Sequence, residues 1–234
     1  MTTKGIIFSA PMVRALYDGR KTQTRRLINP QPQLFETDEG LCDVGLFLDG
    51  EGRNRITTGR VITTQSVPYC PSDRLYVRES AAIASIFTDV FEVRYAAHQG
   101  ASHTEFVERI PVAKVGTPPA KWAYSTWPKY RRSIHMPRVW SRLWLNVINV
   151  RVQRLQDITE ADALAEGCSN KRPDPTDDVL TIRPTNGARL NYAELWNALH
   201  TDEGTRWQDN PWIVAITFAT HHGNIDGDLA GGAQ

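Results

Sequence analysis

No apolar run in this 234-residue chain approaches the roughly 20 residues a helix needs to cross a bilayer. The opening "MTTKGIIFSAPMV" lacks the longer apolar stretch and the cleavage site of a secretory signal, so the expectation is a cytoplasmic protein without a membrane partner. Cysteine is scarce. The three residues, Cys42, Cys70 and Cys168, are odd in number and widely spaced, which argues against a disulfide framework and a zinc knuckle. Net charge is nearly absent too: 27 basic against 26 acidic residues leave +1. Any hold on a polyanion must therefore come from local clustering. The phosphate loop, the dinucleotide-binding glycine fingerprint, the Gly-x-Ser-x-Gly elbow and the His-Glu-x-x-His motif are all missing. The histidines, His221 and His222 included, have no metal-ligand spacing, so neither a metal nor a cofactor is expected.

What is present suffices for a core, with a 41% hydrophobic fraction and seven each of Trp, Tyr and Phe. Pro11 sits in the first turn of a helix whose apolar residues are Met12, Val13, Ala15 and Leu16, and Gly19 stops it. "GRKTQTRR" (Gly19–Arg26) thus begins at a helix C-terminus and runs into a strand, where Thr22, Thr24 and Arg26 share a face. "RVITTQSV" reads as one arm of a hairpin, and a turn at 71–73 leads into a strand from Arg74 to Glu79. "VFEVRYA" is another strand. "SRLWLNVINVRVQRL" is a central strand pair or one long bent strand. "DITEADALAEG" is a short helix with Thr159 as N-cap, Asp162 at the third position and Gly167 at its end. "LNYAELWNALH" is an amphipathic helix and "PWIVAITFA" a closing strand. This order suits an α+β domain, a small twisted or closed sheet decorated by helices. A single domain over 1–221 is expected, with insertions at about 33–66, 98–128 and 169–188, and a disordered tail over 222–234.

Four clusters could carry chemistry. "GRKTQTRR" packs four basic side chains and two threonines into eight residues. It is either a solvated turn complementing the helix C-terminus or the setting of an unusual lysine. Like charges and burial would both disfavour the ammonium of Lys21, making it a general base for the hydroxyl of Thr22 or Thr24. Arg20 and Arg25 read as solvent-facing. Glu166, last in its helix, opposes the macrodipole; it is an ordinary exposed glutamate or a held proton donor. "KYRRSIHMPRVWSR" interleaves arginines with Tyr130, His135 and Trp140, either as a loop with its arginines in solvent or as a recognition surface for phosphate and bases. In "YVRES", Arg78 and Glu79 lie on opposite faces, one of them suited to a structural ion pair with a basic neighbour.

Together "IIFSAPMVRALYDGRKTQTRRLINPQP", "PSDRLYVRES", "YRRSIHMPRVWSRLWLNVINVRVQRLQDITEADALAEG", "YAELWNAL" and "NPWIVAITF" resemble the ASCH family of PUA-like β-barrels. The likeness is strongest to the long members encoded by phages and prophages. The resemblance implies a PUA-like barrel decorated by short helices, with loop and hairpin insertions, in the cytoplasm of a bacterial host. It implies a pocket over the barrel and a modified nucleoside or nucleic acid (RNA or single-stranded DNA) as partner. Small bacterial members similar at the motif are amidohydrolases of N4-acetylcytidine; their catalytic lysine, threonine and glutamate correspond to Lys21, Thr24 and Glu166. Arg26 corresponds to the arginine two residues past the threonine. Arg78, Arg131, Arg132, His135 and Arg138 join it as candidate substrate-binding residues. The expected activity is hydrolysis of an acylated or modified cytosine; a non-catalytic modified-base or nucleic-acid reader and a ribonuclease are the alternatives. The chain departs from the small amidohydrolases in its length, in the "YRRSIHMPRVWSR" loop and in the insertion at 170–187.

Overall fold

The computed structural model describes residues 3–32, 36–37, 40–41, 44–48, 53–58, 61–98, 107–112, 130–169, 171–172, 183–184 and 187–227. In chain order the strands are β1 (Thr3–Ile7), β2 (Gln23–Leu27), β3 (Glu36–Thr37), β4 (Gly40–Leu41), β5 (Val44–Leu48), β6 (Asn54–Thr58), β7 (Val61–Val67) and β8 (Arg74–Arg78). They continue with β9 (Ala81–Ile86), β10 (Val90–Tyr95), β11 (Val107–Pro111), β12 (Leu143–Arg154), β13 (Lys171–Arg172), β14 (Arg183–Pro184) and β15 (Trp212–His222). Helices α1 (Ala10–Tyr17), α2 (Glu160–Ala165) and α3 (Ala188–Leu199) lie wholly within the described residues.

The main sheet has the order β1-β8-β12-β15-β2. It is mixed, because β1 and β8 run parallel while β8–β12 and β15–β2 run antiparallel. A second sheet, β11-β10-β9, is antiparallel throughout, as is β5-β6-β7, in which β7 is the expected hairpin arm. The class is α+β. The main sheet's order has two ends, β1 and β2, and no barrel closes among the described residues. None of the helices is long and apolar enough to cross a membrane, among the same residues.

The chain forms two compact units. The first comprises 1–19, 73–146 and 220–234. Its helix α1 carries Pro11 in its first turn and buries Val13, Ala15 and Leu16. The helix ends where the Gly19 amide donates to the Leu16 carbonyl at 3.0 Å, with Gly19 at φ 70°, a backbone state that costs glycine nothing. Alternation along β10 puts Phe91, Val93 and Tyr95 on one face. They pack with Ala81, Ile83, Ile110, Met136 and Trp140. Of the tail expected to be disordered from 222, residues 222–227 are described and are ordered. His222 belongs to β15, Ile225 is fully buried, and the Asn224 side-chain amide faces the carbonyls of Arg138, Val139 and Ser141. A buried apolar residue and a saturated amide anchor this segment. Residues 228–234 lie outside the described residues, as do most of the expected insertions at about 98–128 and 169–188 and part of the one at about 33–66.

The second unit comprises 20–72 and 147–219. Its core joins Leu155, Ile158 and Ala163 to Ala188, Tyr192 and Trp196 of α3 and to Ile213 and Ala215 of β15. Helix α2 is built as its sequence dictates. The Thr159 hydroxyl accepts from the Asp162 amide at 3.1 Å, and the Asp162 carboxylate accepts from the Thr159 amide at 3.3 Å, a reciprocal capping box. At its other end the Gly167 amide donates to Leu164 and the Cys168 amide to Ala163, with Gly167 at φ 89°. This left-handed stop leaves Glu166 as the C-cap. The α3 N-terminus is capped from α2: the Glu160 carboxylate accepts from the amides of Ala188 and Arg189.

Candidate active site

The site of the second unit starts from backbone pinning. The Thr22 amide donates to the Ala165 carbonyl at 2.8 Å and the Phe218 amide to the Thr22 carbonyl at 2.9 Å. The segment after Gly19 is thereby tied both to the end of α2 and to β15. From there β2 pairs in register with β15, Thr24 opposite Ile216 and Arg25 opposite Ala215.

That pinning aims Lys21 at the α2 C-terminus. The residue is 1% exposed. Nζ donates to Oε2 of Glu166 at 2.6 Å and to the Glu166 backbone carbonyl at 2.8 Å. The ammonium therefore serves as a helix C-cap and as the partner of the carboxylate that the helix end disfavours. Burial lowers the proton affinity of Lys21 below its usual range; the Glu166 carboxylate pulls the other way, and the positive charge of Arg26 adds to the lowering. The balance favours a neutral amine more than an exposed lysine would.

Thr24, also buried, receives a hydrogen bond at its Oγ1 from Nη1 of Arg26 at 3.1 Å. Arg26 is half-buried and donates as well to the Arg25 carbonyl at 3.3 Å. So Lys21 is joined to Glu166 and Thr24 to Arg26. Cys168, one residue past Gly167, has its thiol pushed up to about 11, chiefly by burial and then by the charge of Glu166. It stands beside the site as a neutral thiol.

Arg25 departs from the sequence reading, which leaves it in solvent. It is 3% exposed. Nη1 donates to Oε1 of Glu166 at 3.0 Å and Nη2 lies 3.3 Å from Oδ2 of Asp162. The guanidinium carbon is 5.9 Å from the centre of the Tyr192 ring. The physical reason is that both faces of β2 are covered: Thr24 and Arg25 alternate, yet both are buried. One signal pointed that way. Asp162 and Glu166 stand four apart on a short helix, so their carboxylates share a face that calls for a cation.

The remaining candidates belong to the first unit. Arg78 donates to the Ile134 carbonyl, and the Arg131 amide donates to Ala81 at 2.9 Å. Arg132 and His135 are exposed, whereas Arg138 pairs with Asp226 and lies 5.7 Å from the Tyr76 ring centre. Glu79 makes the ion pair expected of it: Arg142 grips both its oxygens, at 2.9 and 3.0 Å, with both side chains buried. Arg142 also reaches Nδ1 of His98 at 2.8 Å and lies 4.0 Å from the Tyr95 ring centre. A cavity of about 530 Å³ adjoins this cluster, with Tyr95, Trp140, Arg142 and Asn224 in its wall. No group of three or more His, Cys, Asp or Glu suited to a metal occurs among the described residues. Comparison with family models, with curated proteins and with solved structures finds no match.

Proposed function

We propose that the second unit carries a hydrolase site for an N4-acylated cytosine base or nucleoside, and that the chain is an ASCH-type, PUA-like protein. The family assignment rests on the motifs that resemble it, not on barrel closure. The observation that carries the activity is the buried pair of Lys21 and Glu166 at 2.6 Å, with Thr24 on the adjoining strand.

Shifting one proton along that hydrogen bond turns ammonium and carboxylate into amine and carboxylic acid without changing net charge. Burial of Lys21 favours the shift. The neutral amine then accepts the Thr24 hydroxyl proton as Oγ1 bonds to the acyl carbon. As the bond from that carbon to N4 breaks, Glu166 gives its proton to N4 and the cytosine amine leaves. An acyl ester on Thr24 remains, with Lys21 charged and Glu166 ionised again. Water hydrolyses the ester, releasing the carboxylic acid and restoring the hydroxyl. Arg26, already at Oγ1 of Thr24, supplies positive charge where the acyl oxygen becomes negative.

The test is cytidine release from N4-acetylcytidine by the wild type, Lys21→Ala and Thr24→Ala. Release by the wild type with a loss of about 10²-fold or more in each variant is expected. No release by the wild type, or equal rates in all three, removes the reading. RNA binding that weakens with salt and persists in Thr24→Ala, with no turnover, would put a reader of nucleic acid in its place.

A further inference from the structure

Arg25 is an unusual residue to bury. Its side chain is wholly shielded, and a guanidinium withdrawn from water costs several kcal/mol unless it is paired. Here two carboxylates of one helix face flank it, Glu166 at 3.0 Å and Asp162 at 3.3 Å. Asp162 is itself anchored by the α2 capping box, and its proton affinity stays low although burial alone would raise it, because the Thr159 hydrogen bonds and the charge of Arg25 hold the ionised form. The carboxylate of Glu166 is therefore divided. Oε1 belongs to Arg25 and Oε2 to Lys21.

That division has an electrostatic consequence. A carboxylate serving lysine alone would give it all of its stabilisation and hold the ammonium firmly. A carboxylate shared with a fixed cation gives less, because part of its negative charge is neutralised by the second partner. Among the described residues, the charged and titratable groups around this carboxylate and Lys21 include Arg25 and Arg26 on β2, Asp162 on α2 with Arg151 of β12 at 3.5 Å from it, Cys168 beyond α2 and Tyr192 on α3. Tyr192 and Cys168 are both shifted toward their neutral forms. The positive charge of Arg26 lowers the proton affinity of Lys21 directly, while Arg25 bears on it through the Glu166 carboxylate that the two share.

We propose that Arg25 is a positioning residue of this site: anchored by Asp162, it fixes the Glu166 carboxylate and draws on its charge, so that Lys21 releases its proton more readily. The catalytic consequence rests on the hydrolase reading above, whereas the effect on Lys21 is measurable without turnover. A guanidinium that merely filled space would leave the titration of Lys21 where it is.

The experiment is a pH titration by NMR of the full chain labelled at lysine Cε, with the Lys21 signal assigned by its absence in Lys21→Arg. Wild type, Arg25→Gln and Arg25→Lys are compared. Glutamine keeps a donor for Oε1 and removes the charge; lysine keeps the charge. In Arg25→Gln the Lys21 midpoint should rise by about one unit or more, while in Arg25→Lys it should stay within about 0.3 unit of wild type. On N4-acetylcytidine at pH 7, kcat should fall about tenfold per unit of rise with KM nearly unchanged, and Arg25→Lys should recover most of it. A midpoint that is unchanged or lower in Arg25→Gln, or one that rises in Arg25→Lys, overturns the proposal. If Arg25→Gln does not fold, Arg25→Met, which removes the charge without burying an unpaired polar group, is read by the same criterion. Should the wild type release no cytidine, the hydrolase reading falls and the titration still decides what Arg25 does.

Discussion

Lys21 and Glu166, 145 residues apart in sequence, are joined twice, through the carboxylate and through the backbone carbonyl of the same residue. The double bond of contacts makes Lys21 part of the α2 terminus as well as of the candidate site. Lys21→Met keeps the length of the stem and removes both donors. Hydrolysis should fall by about 10²-fold or more, and stability by about 1–3 kcal/mol, because a buried acceptor loses its partner. The sign of the pH effect follows from the lowered proton affinity. The unfolded chain binds a proton at Lys21 below 10.5 that the folded chain holds less well. The contribution of Lys21 to stability is therefore complete above 10.5 and is lost as pH falls through the lower folded value. Urea unfolding at pH 7 and pH 9.5 should show wild type gaining stability with pH relative to Lys21→Met.

In the first unit the Glu79–Arg142 pair is buried on both sides. Removing one partner strands the other charge. Arg142→Met should cost about 3–5 kcal/mol, whereas replacing both residues by apolar ones of similar size should recover much of the loss. Burial raises the proton affinity of Glu79 and the Arg142 hydrogen bonds oppose that, so the single variant should bury Glu79 in its protonated form. Denaturant midpoints of the two singles and the double variant check both statements.

His98 supplies a pH handle on the same unit. Burial lowers it to about 4, with the positive charges of Arg142 and Arg14 adding to the effect and Asp18 opposing it. Arg142 meets its Nδ1 at 2.8 Å; as a pure donor the guanidinium requires that nitrogen to accept. Tyr17 packs edge-on against the His98 ring at 5.1 Å. A depressed folded value means that the His98 contribution is complete above 6.5 and is lost as pH falls toward 4. Melting curves between pH 7 and pH 4.5 should fall less steeply for His98→Gln than for wild type. Parallel curves would show that His98 does not titrate this way.

The parts of the fold legible in the sequence were those set by local rules. Pro11 and Gly19 bracket α1, Thr159, Asp162 and Gly167 bracket α2, and β12 runs unbroken for 12 residues through its β-branched stretch. Arg25 was not legible, because alternation on an isolated strand sends it away from Thr24 without revealing that α2 covers the far side. The Glu79–Arg142 pair was half legible: the need for a cation showed, but its source 63 residues away did not. The order of residues 222–227 was not legible, because Asn224 and Ile225 are held by contacts with the 138–141 segment and the core. Such long-range partners leave no periodic trace along the chain.

Gly167 links the local rules to the chemistry. Its φ of 89° turns the chain at the residue after Glu166, and any side chain there meets the left-handed penalty of about 1–2 kcal/mol. Gly167→Ala should lower the melting temperature by a few degrees, about 2–4 °C per kcal/mol for a chain of this size. Its effect on hydrolysis should be larger than its effect on folding. Relieving the strain unwinds the α2 terminus and moves the carboxylate that must stay at 2.6 Å from Lys21, and a displacement of about 1 Å in a catalytic group can cost 10²-fold. Gly167→Asn, which tolerates the left-handed state, should fall between alanine and wild type in both measurements. If alanine lowered stability while leaving kcat untouched, the geometry of the α2 terminus would not be what holds Glu166 in register.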